Sequence, residues 1–416
     1  MDHLKFLKLI VILLMIQSIS FAQFQNWPCW RGPNGDGTSL ETNIPTLWDS
    51  ETNVLWKIPI PGIGHSSPIV WGDRLFIVTA IPETQEKILL SYNIDGKLLW
   101  QKTVLKSTFE NKHHDNSFAS GTPATDGNLI YVSFLDGEDV FVAAFDFDGE
   151  QRWAQRPGTF SSPHGYSCSP VLVDNKVIIN GNSLGDSFIV ALNKADGKII
   201  WKIPQNKPAH SFSTPIIREI NGKKQMIFGG NMAITSYNPD DGSRYWFVDG
   251  PSEDFCSSPV YNKKSNLFLI SSAWPKRSLL AIKPDGSGDV TDSHVVWQTQ
   301  KGAYYVPSPV CTEDYLFTTM TNGQVHCIEV STGNILWVEN LGKQYASSVL
   351  VNGLVYMPND DGVITVIKPG RTFEFVSKNS IGERMNASPA ISHGRIYIRG
   401  EKHLFCITDT GTGSDK

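Results

Sequence analysis

The sequence predicts an all-β protein, an eight-bladed β-propeller built from four-stranded antiparallel blades. Three recurring marks carry this prediction: a Ser/Thr-Pro dipeptide before short apolar runs, an aromatic residue that closes a strand, and Asp-Gly turns between strands. Glycine (35 residues) and proline (24 residues) are abundant in the chain of 416 residues, as expected for many short strands joined by tight turns. Runs with helical periodicity are scarce.

The aromatic mark closes one strand in each repeat. Its copies are Trp56, Trp100, Trp153, Trp201, Trp246, Trp297 and Trp337, with Phe375 where an eighth tryptophan is expected. The tryptophans are 44, 53, 48, 45, 51 and 40 residues apart, and a period of about 40–50 residues with four strands per repeat is typical of a propeller. We expect these rings to fill the wedges between neighbouring blades. A β-sandwich array or a β-helix is the alternative, but neither accounts for a large aromatic at a fixed strand position.

The repeat that ends at Trp201 shows how the strands follow one another. Ser169-Pro170 precedes a short apolar strand, and a turn at Asp174-Asn175 leads to a second. The third strand ends near Leu192, and Asp196-Gly197 forms the turn into the tryptophan strand, because glycine accepts a positive φ at little cost. The residues that precede the proline in each copy are Ser67, Thr122, Ser169, Thr214, Ser258, Ser308 and Ser388, and the eighth copy, at Ser347-Ser348, lacks the proline.

The two ends of the repeat region predict how the ring closes. The strand at 53–59 carries Trp56 but has no three strands before it, whereas the last repeat, 389–407, supplies three strands and no fourth. We therefore expect the N-terminal strand to complete the C-terminal blade, which gives a propeller domain over 53–411.

The first 22 residues have the pattern of a secretory signal peptide. Lys5 and Lys8 precede an apolar run at 9–16, and Ser20-Phe21-Ala22 offers small residues for cleavage. An uncleaved N-terminal anchor is the alternative, although the apolar run is too short to span a bilayer. We expect an exported, periplasmic or extracellular protein with no transmembrane span after cleavage, an N-terminal extension over 23–52, and a tail over 412–416.

Charge and cysteine content exclude some classes of function. The net charge of −5 gives no electrostatic basis for binding nucleic acid. The six cysteines are widely scattered, with no CxxC pair and no zinc-binding pattern, so we expect small buried residues rather than disulfides.

Three tryptophan strands carry a resemblance to a known family. With the strings at 96–100 (GKLLW), 197–201 (GKIIW) and 333–337 (GNILW), the chain resembles the PQQ-like, quinoprotein alcohol dehydrogenase-like eight-bladed propellers. The segment at 27–37, with its Trp-Arg-Gly-Pro string, is similar to the opening of an exported bacterial subgroup described as PQQ-binding-like or BamB-like.

The resemblance implies two classes of function. One class oxidises alcohols or sugars with pyrroloquinoline quinone (PQQ) and calcium, and the other binds proteins without catalysis. The adjacent cysteine pair expected over a quinone is absent and the repeats are near minimal length, so we predict no cofactor and no catalytic residue. The hypothesis is a monomeric, non-catalytic scaffold that binds other proteins of the cell envelope. A PQQ- and calcium-dependent oxidoreductase is the alternative, and carbohydrate binding or processing in the central funnel is a third possibility.

Candidate binding residues precede the Ser/Thr-Pro marks. In a propeller these positions surround the mouth of the central channel, and here they are rich in histidine and aromatic residues. The candidates are His65, His114, His164, Tyr166, His210, Phe212, Asp254, Phe255, Tyr304, Tyr345, Arg384 and Asn386. They would bind a small-molecule ligand or a peptide, or would simply plug the channel.

Two short polar segments are weaker candidates for metal sites. His113-His114-Asp115 offers metal-binding side chains but lies in a polar loop, where solvated residues are expected. The segment at 34–37 (NGDG) lacks the downstream ligands of a calcium loop and is expected to form a turn. We therefore predict no metal site.

Overall fold

The structure is a computed structural model that describes residues 26–410, except 208 and 273. The predicted signal peptide at 1–22 and the predicted tail at 412–416 lie outside the described residues. All regular secondary structure in the described residues is β-strand, and none of their segments forms a helix long and apolar enough to cross a bilayer. The strands are β1 (Thr38–Ser39), β2 (Val54–Pro59), β3 (Ile69–Trp71), β4 (Arg74–Ile81), β5 (Glu86–Asn93), β6 (Leu98–Lys106), β7 (Ala124–Thr125), β8 (Leu129–Asp136), β9 (Asp139–Asp146), β10 (Gln151–Thr159), β11 (Val171–Val173), β12 (Lys176–Gly181), β13 (Phe188–Asn193), β14 (Ile199–Pro204), β15 (Ile216–Ile220), β16 (Lys223–Gly230), β17 (Ala233–Tyr237), β18 (Arg244–Asp249), β19 (Val260–Asn262), β20 (Leu267–Ser272), β21 (Ser278–Ile282), β22 (Gly288–Asp289), β23 (Val295–Thr299), β24 (Val310–Cys311), β25 (Tyr315–Thr319), β26 (Gln324–Glu329), β27 (Ile335–Asn340), β28 (Val349–Val351), β29 (Leu354–Pro358), β30 (Val363–Lys368), β31 (Glu374–Ser380), β32 (Ala390–Ser392), β33 (Arg395–Arg399) and β34 (His403–Ile407).

These strands form eight sheets, which confirms the predicted eight-bladed propeller. Blades 1 to 4 begin with β3, β7, β11 and β15, and blades 5 to 8 begin with β19, β24, β28 and β32. These first strands are the innermost, since β3 contacts β32 and β24 contacts both β19 and β28 around the central channel. The top face is the face where the innermost strands begin, and the bottom face is where they end.

The ring closes as the sequence predicts. Strand β2 pairs antiparallel with β34 and becomes the outermost strand of blade 8, with Lys57 opposite Phe405. The N-terminal strand therefore joins the last blade to the first through backbone hydrogen bonds.

Two blades carry a fifth short strand that the repeat did not predict. Strand β1 lies parallel to the innermost strand β28 of blade 7, with Thr38 opposite Leu350. Strand β22 lies parallel to the outermost strand β18 of blade 4. The turn expected at Asp285-Gly286 is thus a longer excursion over 283–294, which covers the outer edge of the preceding blade.

The tryptophans lock each blade onto the next. The indole N–H of Trp153 donates to the carbonyl of Lys194 at 2.7 Å, in the turn of the following blade. A Cβ on Gly197 would lie 2.6 Å from the Trp153 ring, and Gly197 has a φ of +71°, so only glycine fits this turn. The same indole-to-carbonyl bond, of 2.8–3.1 Å, joins Trp56 to Ile94, Trp100 to Phe147, Trp201 to Pro239, Trp246 to Pro284, Trp297 to Val330 and Trp337 to Gly370.

Phe375 does not occupy the eighth of these positions, so its assignment was wrong. In blade 3, Trp201 faces Ala191 and an extra residue follows Ile199 as a bulge. In blade 7 the residue that faces Val366 is Ser377, and Phe375 is 55% exposed two residues earlier. The same bulge occurs in both blades, so Ser377 stands at the tryptophan position and Phe375 lies two residues before it, a register that the sequence spacing alone could not show.

Trp48 of the N-terminal segment takes the place of the tryptophan that blade 7 lacks. Its ring is 2% exposed and stacks on Tyr356 of β29, with ring centroids 6.3 Å apart and planes at 10°. Its backbone N–H donates to the Asn379 side chain at 2.9 Å, and Ser377 donates to the carbonyl of Thr46. The N-terminal segment therefore supplies the aromatic that completes blade 7.

The N-terminal segment also closes the bottom of the channel. Trp27 is buried and exchanges two backbone hydrogen bonds of 2.9 Å with Val70 of blade 1. Arg31 is 2% exposed and donates to the carbonyls of Asp36 and Pro309, the latter in blade 6. A Cβ on Gly32 would lie 2.7 Å from the Trp27 ring. The Trp-Arg-Gly-Pro string is thus a structural plug that fixes the segment beneath the blades.

All six cysteines are free thiols, as their scattered spacing predicted.

Candidate functional site

The top face opens into a cavity of about 300 Å³ at the mouth of the channel, and a narrower space of about 120 Å³ continues below it. Trp30 of the N-terminal segment lines the lower space and forms its floor. The cavity is therefore a blind funnel that is accessible from the top face.

A belt of hydroxyl groups surrounds the lower part of the funnel. In seven of the eight blades, the backbone N–H of the Ser or Thr that begins the mark donates to the side-chain hydroxyl of the corresponding residue in the next blade, at 2.9–3.0 Å. Seven such bonds run from Ser67 to Thr122, Thr122 to Ser169, Thr214 to Ser258, Ser258 to Ser308, Ser308 to Ser347, Ser347 to Ser388 and Ser388 back to Ser67. The Ser/Thr-Pro mark is thus structural: its hydroxyl satisfies a buried N–H of the neighbouring blade.

The side chains that line the funnel follow a simple register. The residue two positions before each belt hydroxyl points into both the cavity and the space below it. These eight residues are His65, Ser120, Ser167, Phe212, Cys256, Val306, Tyr345 and Asn386. Alternate side chains of an extended segment point in opposite directions, so the residues between them turn into the blades.

A loop from blade 1 to blade 2, residues 107–123, covers part of the mouth. Glu110 in this loop accepts a hydrogen bond of 2.6 Å from Lys87, and both side chains are buried. Phe109 packs against Phe118 with the ring centroids 4.3 Å apart and the planes tilted by 35°. These contacts give the loop a compact core of its own.

The far end of this loop reaches across the mouth. The hydroxyl of Tyr345, in blade 7, donates to Asp115 at 2.8 Å. This hydrogen bond holds the pKa of the Asp115 carboxyl below its usual value. Asn116 donates to the carbonyl of His164 at 2.7 Å, which ties the loop to blade 3.

Histidines form an arc along one side of the mouth. The ring centroids of His113 and His164 are 5.8 Å apart, and those of His164 and His210 are 5.7 Å apart. Asp254 lies 3.4 Å from Nδ1 of His210. Burial, followed by the neighbouring His210 and His113, lowers the pKa of His164 and so favours its neutral form.

The groups deeper in the funnel are held uncharged. Burial, together with the nearby Arg399, lowers the pKa of His65 to about 4, and Nε2 of His65 lies 3.1 Å from the side-chain amide nitrogen of Asn386. Burial raises the pKa of the Cys256 thiol to about 12, so it is a poor nucleophile at neutral pH. The deep part of the funnel is therefore uncharged, and its lining combines aromatic and polar side chains.

With the geometry established, comparison with known proteins identifies the family. The family model described as "Outer membrane protein assembly factor BamB" matches residues 85–252 and 284–416, well over half of the chain.

The chain belongs to this family.

Relatives and fold neighbours of this BamB-like propeller fall in both functional classes. It is 20% identical over 394 residues to the outer membrane protein assembly factor BamB of Yersinia pestis, covering 88% of this chain and 85% of the relative. The crystal structure of BamB from Moraxella catarrhalis superposes with a TM-score of 0.61 at 15% identity, over 85% of this chain and 99% of that one. Quinohemoprotein alcohol dehydrogenase from Comamonas testosteroni superposes with a TM-score of 0.69 at 11% identity, over 95% of this chain and 82% of that one. The two structural likenesses establish the shared propeller fold.

The predicted site residues of this BamB-like propeller fall into three groups. Those that line the cavity are His65, His164, Phe212, Tyr345 and Asn386. Those buried in or beside the blades are Tyr166, His210, Asp254, Phe255 and Tyr304, with Asp254 13% exposed at its side chain. Those exposed at the rim are His114 and Arg384.

Sequence reasoning missed several lining residues of the BamB-like funnel. They are Ser120, Ser167, Cys256 and Val306. Large aromatic and histidine residues drew attention, whereas these four are small or aliphatic. His113 and Asp115, which the sequence suggested as metal ligands, line the cavity as well. Counting back two positions from each belt hydroxyl would have found Ser120, Ser167, Cys256 and Val306.

Proposed function

We propose that this protein is a non-catalytic binding propeller of the cell envelope that holds another envelope protein at its top face. The observation that carries the proposal is the chemistry of the funnel, whose thiol and deep imidazole are uncharged and whose lining has no arrangement for catalysis. A general base needs a pKa near the working pH and a nucleophile needs activation. Membership of the BamB-like family supports the same function.

The funnel residues do not fit a bound PQQ. This quinone carries three carboxylates, which need cationic partners when they are buried. No lysine or arginine is among the cavity-lining residues that the structure describes. Asp115 is the single carboxylate of that lining, and it is already hydrogen-bonded to Tyr345. Calcium, which takes six to eight oxygen ligands, would find few here. These features favour a binding propeller over a quinone oxidoreductase.

The top face exposes large apolar side chains to a partner. Trp274 is 62% exposed, and its carbonyl accepts hydrogen bonds from the N–H groups of Glu253 and Asp254 at 3.0 and 2.9 Å, beside the funnel mouth. Leu184 and Ile63 are also exposed on this face. Exposed tryptophans are enriched among residues that dominate binding energy at protein interfaces. We place the partner on this face, with Trp274 as its main anchor.

The remaining parts of the proposal follow from the sequence. Export through the segment at 1–22 would deliver the propeller to the periplasm or the cell exterior. There it acts as a monomer, associated with the envelope through its partner.

Capture of partners in living cells tests this function. Tagged wild-type protein and the variant Trp274→Ala are cross-linked in their native cells, and the captured proteins are identified. Ile200→Ser is the matched control, because Ile200 is 40% exposed on the outermost strand of blade 3, away from the mouth. We expect wild type and Ile200→Ser to capture the same envelope proteins, and Trp274→Ala to lose them. Capture of no envelope protein by wild type, or equal capture by Trp274→Ala, contradicts the proposal.

A further inference from the structure

Three side chains at the rim of the funnel converge on one point. His113, His114 and Asp115 each offer a ligand atom, and these atoms lie within 4.8 Å of one another. Nδ1 of His113 is 3.7 Å from Oδ2 of Asp115, and Nε2 of His114 is 3.4 Å from the same oxygen. Three consecutive residues thus place two imidazoles and a carboxylate around a shared centre.

Two of the three separations are close to the edge of a small coordination tetrahedron, and the third is within 4.8 Å. Imidazole and carboxylate donors bind zinc at about 2.1 Å, so neighbouring donors of a tetrahedral ion lie about 3.4 Å apart. The two measured distances differ from that value by at most a few tenths of an ångström, within the reach of small side-chain rotations. Magnesium and calcium prefer oxygen ligands throughout, whereas two imidazoles favour a late first-row transition ion.

The surrounding structure holds this geometry in place. The hydroxyl of Tyr345 donates to Oδ2 of Asp115 at 2.8 Å, the kind of outer hydrogen bond that orients a carboxylate ligand. The loop that carries the three residues is fixed by the buried Lys87–Glu110 pair and by the bond from Asn116 to the His164 carbonyl. The sequence predicts a solvated loop here, and such a loop would not need these two contacts to hold both of its ends.

The site would leave one coordination position open toward the funnel. His113 and Asp115 line the cavity, whereas His114 stands outside it with 81% of its side chain exposed. An ion held by all three residues would therefore sit at the cavity wall. Three protein ligands with an open fourth position is the arrangement that lets a metal accept water or an external donor.

We propose that His113, His114 and Asp115 bind one divalent transition-metal ion of the zinc type at the mouth of the funnel. Tyr345 acts as a positioning residue through Asp115. The fourth position accepts water or a donor group of a bound ligand, such as a carboxylate or an imidazole. This site does not depend on the partner-binding function, so either can fail without the other.

Metal titration of the purified full-length protein, freed of metal with a chelator, tests the site. Cobalt(II) serves as the spectroscopic probe, and zinc binding is followed by calorimetry. We expect one equivalent of cobalt to produce the visible absorption of a four- or five-coordinate ion. His114→Ala and Asp115→Asn should each weaken zinc binding by about tenfold or more, and Tyr345→Phe by a smaller factor.

The control variant is His294→Ala. His294 and Asp285 also form a histidine–carboxylate pair at 3.7 Å in the excursion of blade 5, but no third metal-binding side chain joins them among the residues that the structure describes. This variant should bind metal as wild type does. Absence of one-to-one uptake by wild type overturns the proposal, as does unchanged affinity in His114→Ala. A tenfold loss in His294→Ala would assign the bound metal to another place and would equally overturn it.

Discussion

Trp48 stacks on Tyr356 and so completes blade 7 from outside that blade's own chain segment. In blades 1, 2, 6 and 8 an aromatic of the second strand meets the tryptophan of the fourth, as Tyr131 meets Trp153 at 6.0 Å between ring centroids. The indole N–H of Trp48 has no acceptor among the described residues, unlike those of the seven blade tryptophans. The N-terminal segment is therefore an integral part of the propeller, held by packing more than by the indole hydrogen bond.

Replacement of Trp48 should destabilise the propeller far more than replacement of Phe375. Trp48→Ala opens a cavity against Tyr356 and should lower the free energy of unfolding by about 3–5 kcal/mol. Phe375→Ala, at an exposed ring, should change it by less than about 1 kcal/mol. Chemical denaturation of both variants measures the difference, and equal effects would mean that Phe375 fills the blade position after all.

Two glycine substitutions separate backbone strain from contact with a tryptophan. Gly197 and Gly72 both have positive φ, of +71° and +57°. A Cβ on Gly197 meets the Trp153 ring, whereas a Cβ on Gly72 meets nothing within 4 Å. Gly197→Ala should therefore cost about 1–3 kcal/mol more than Gly72→Ala in the free energy of unfolding. Equal costs would show that the ring moves away without penalty.

Removal of one partner of the buried Lys87–Glu110 pair should lower the free energy of unfolding strongly, whereas replacement of both by apolar residues should lower it little. Glu110→Ala leaves the Lys87 ammonium buried without its carboxylate and should destabilise the protein by about 3–5 kcal/mol. The double variant Lys87→Met/Glu110→Leu removes both charges and should recover most of that loss. Denaturation midpoints of the three proteins test this, and a double variant as unstable as the single one would contradict it.

Asp360 should make the protein less stable as pH rises. Burial raises the pKa of Asp360 to about 6, against the opposing effects of the Tyr345 N–H, Lys343 and Arg384. Between its unfolded value of about 3.8 and 6 the folded state binds the extra proton, so the free energy of unfolding falls as pH rises through this range. Asp360→Asn should remove this loss and be more stable than wild type at pH 8, with the difference vanishing near pH 4. A difference that does not change with pH would rule out Asp360 as its source.

Most of the architecture could be predicted from the sequence because each recurring residue type meets a local chemical requirement. The Asp-Gly turn before Trp201 requires a positive φ and therefore a glycine. The Ser169 hydroxyl accepts a hydrogen bond from a buried N–H, so a serine or threonine recurs at this position. The packing of Trp48 beside Ser377 in blade 7 has no such local signal, because the stacking partner of Trp48 lies more than 300 residues away in the chain. The long excursion that forms β22 was hidden by an Asp-Gly pair that resembled an ordinary turn.

The candidate site was harder to predict from sequence than the fold. Histidine and aromatic residues such as Tyr166 and Phe255 marked the correct loops, but adjacent residues point in opposite directions, and these two turn into the blades. The funnel wall is formed instead by the residues two positions before each belt hydroxyl. This rule can be applied only after the belt has been recognised. Asp115 was considered only as a metal ligand, and its hydrogen bond with Tyr345 could not be predicted because it spans the mouth between distant blades.

The measurement that tests the central claim most directly is reconstitution with quinone. Purified protein is incubated with PQQ and calcium, quinone uptake is followed by its absorption, and reduction of an electron-accepting dye is assayed with alcohols and sugars. A known quinoprotein dehydrogenase run in parallel confirms that the assay works. A non-catalytic binding propeller takes up no stoichiometric PQQ and reduces no dye. Uptake of one PQQ per chain with substrate-dependent dye reduction would contradict this account.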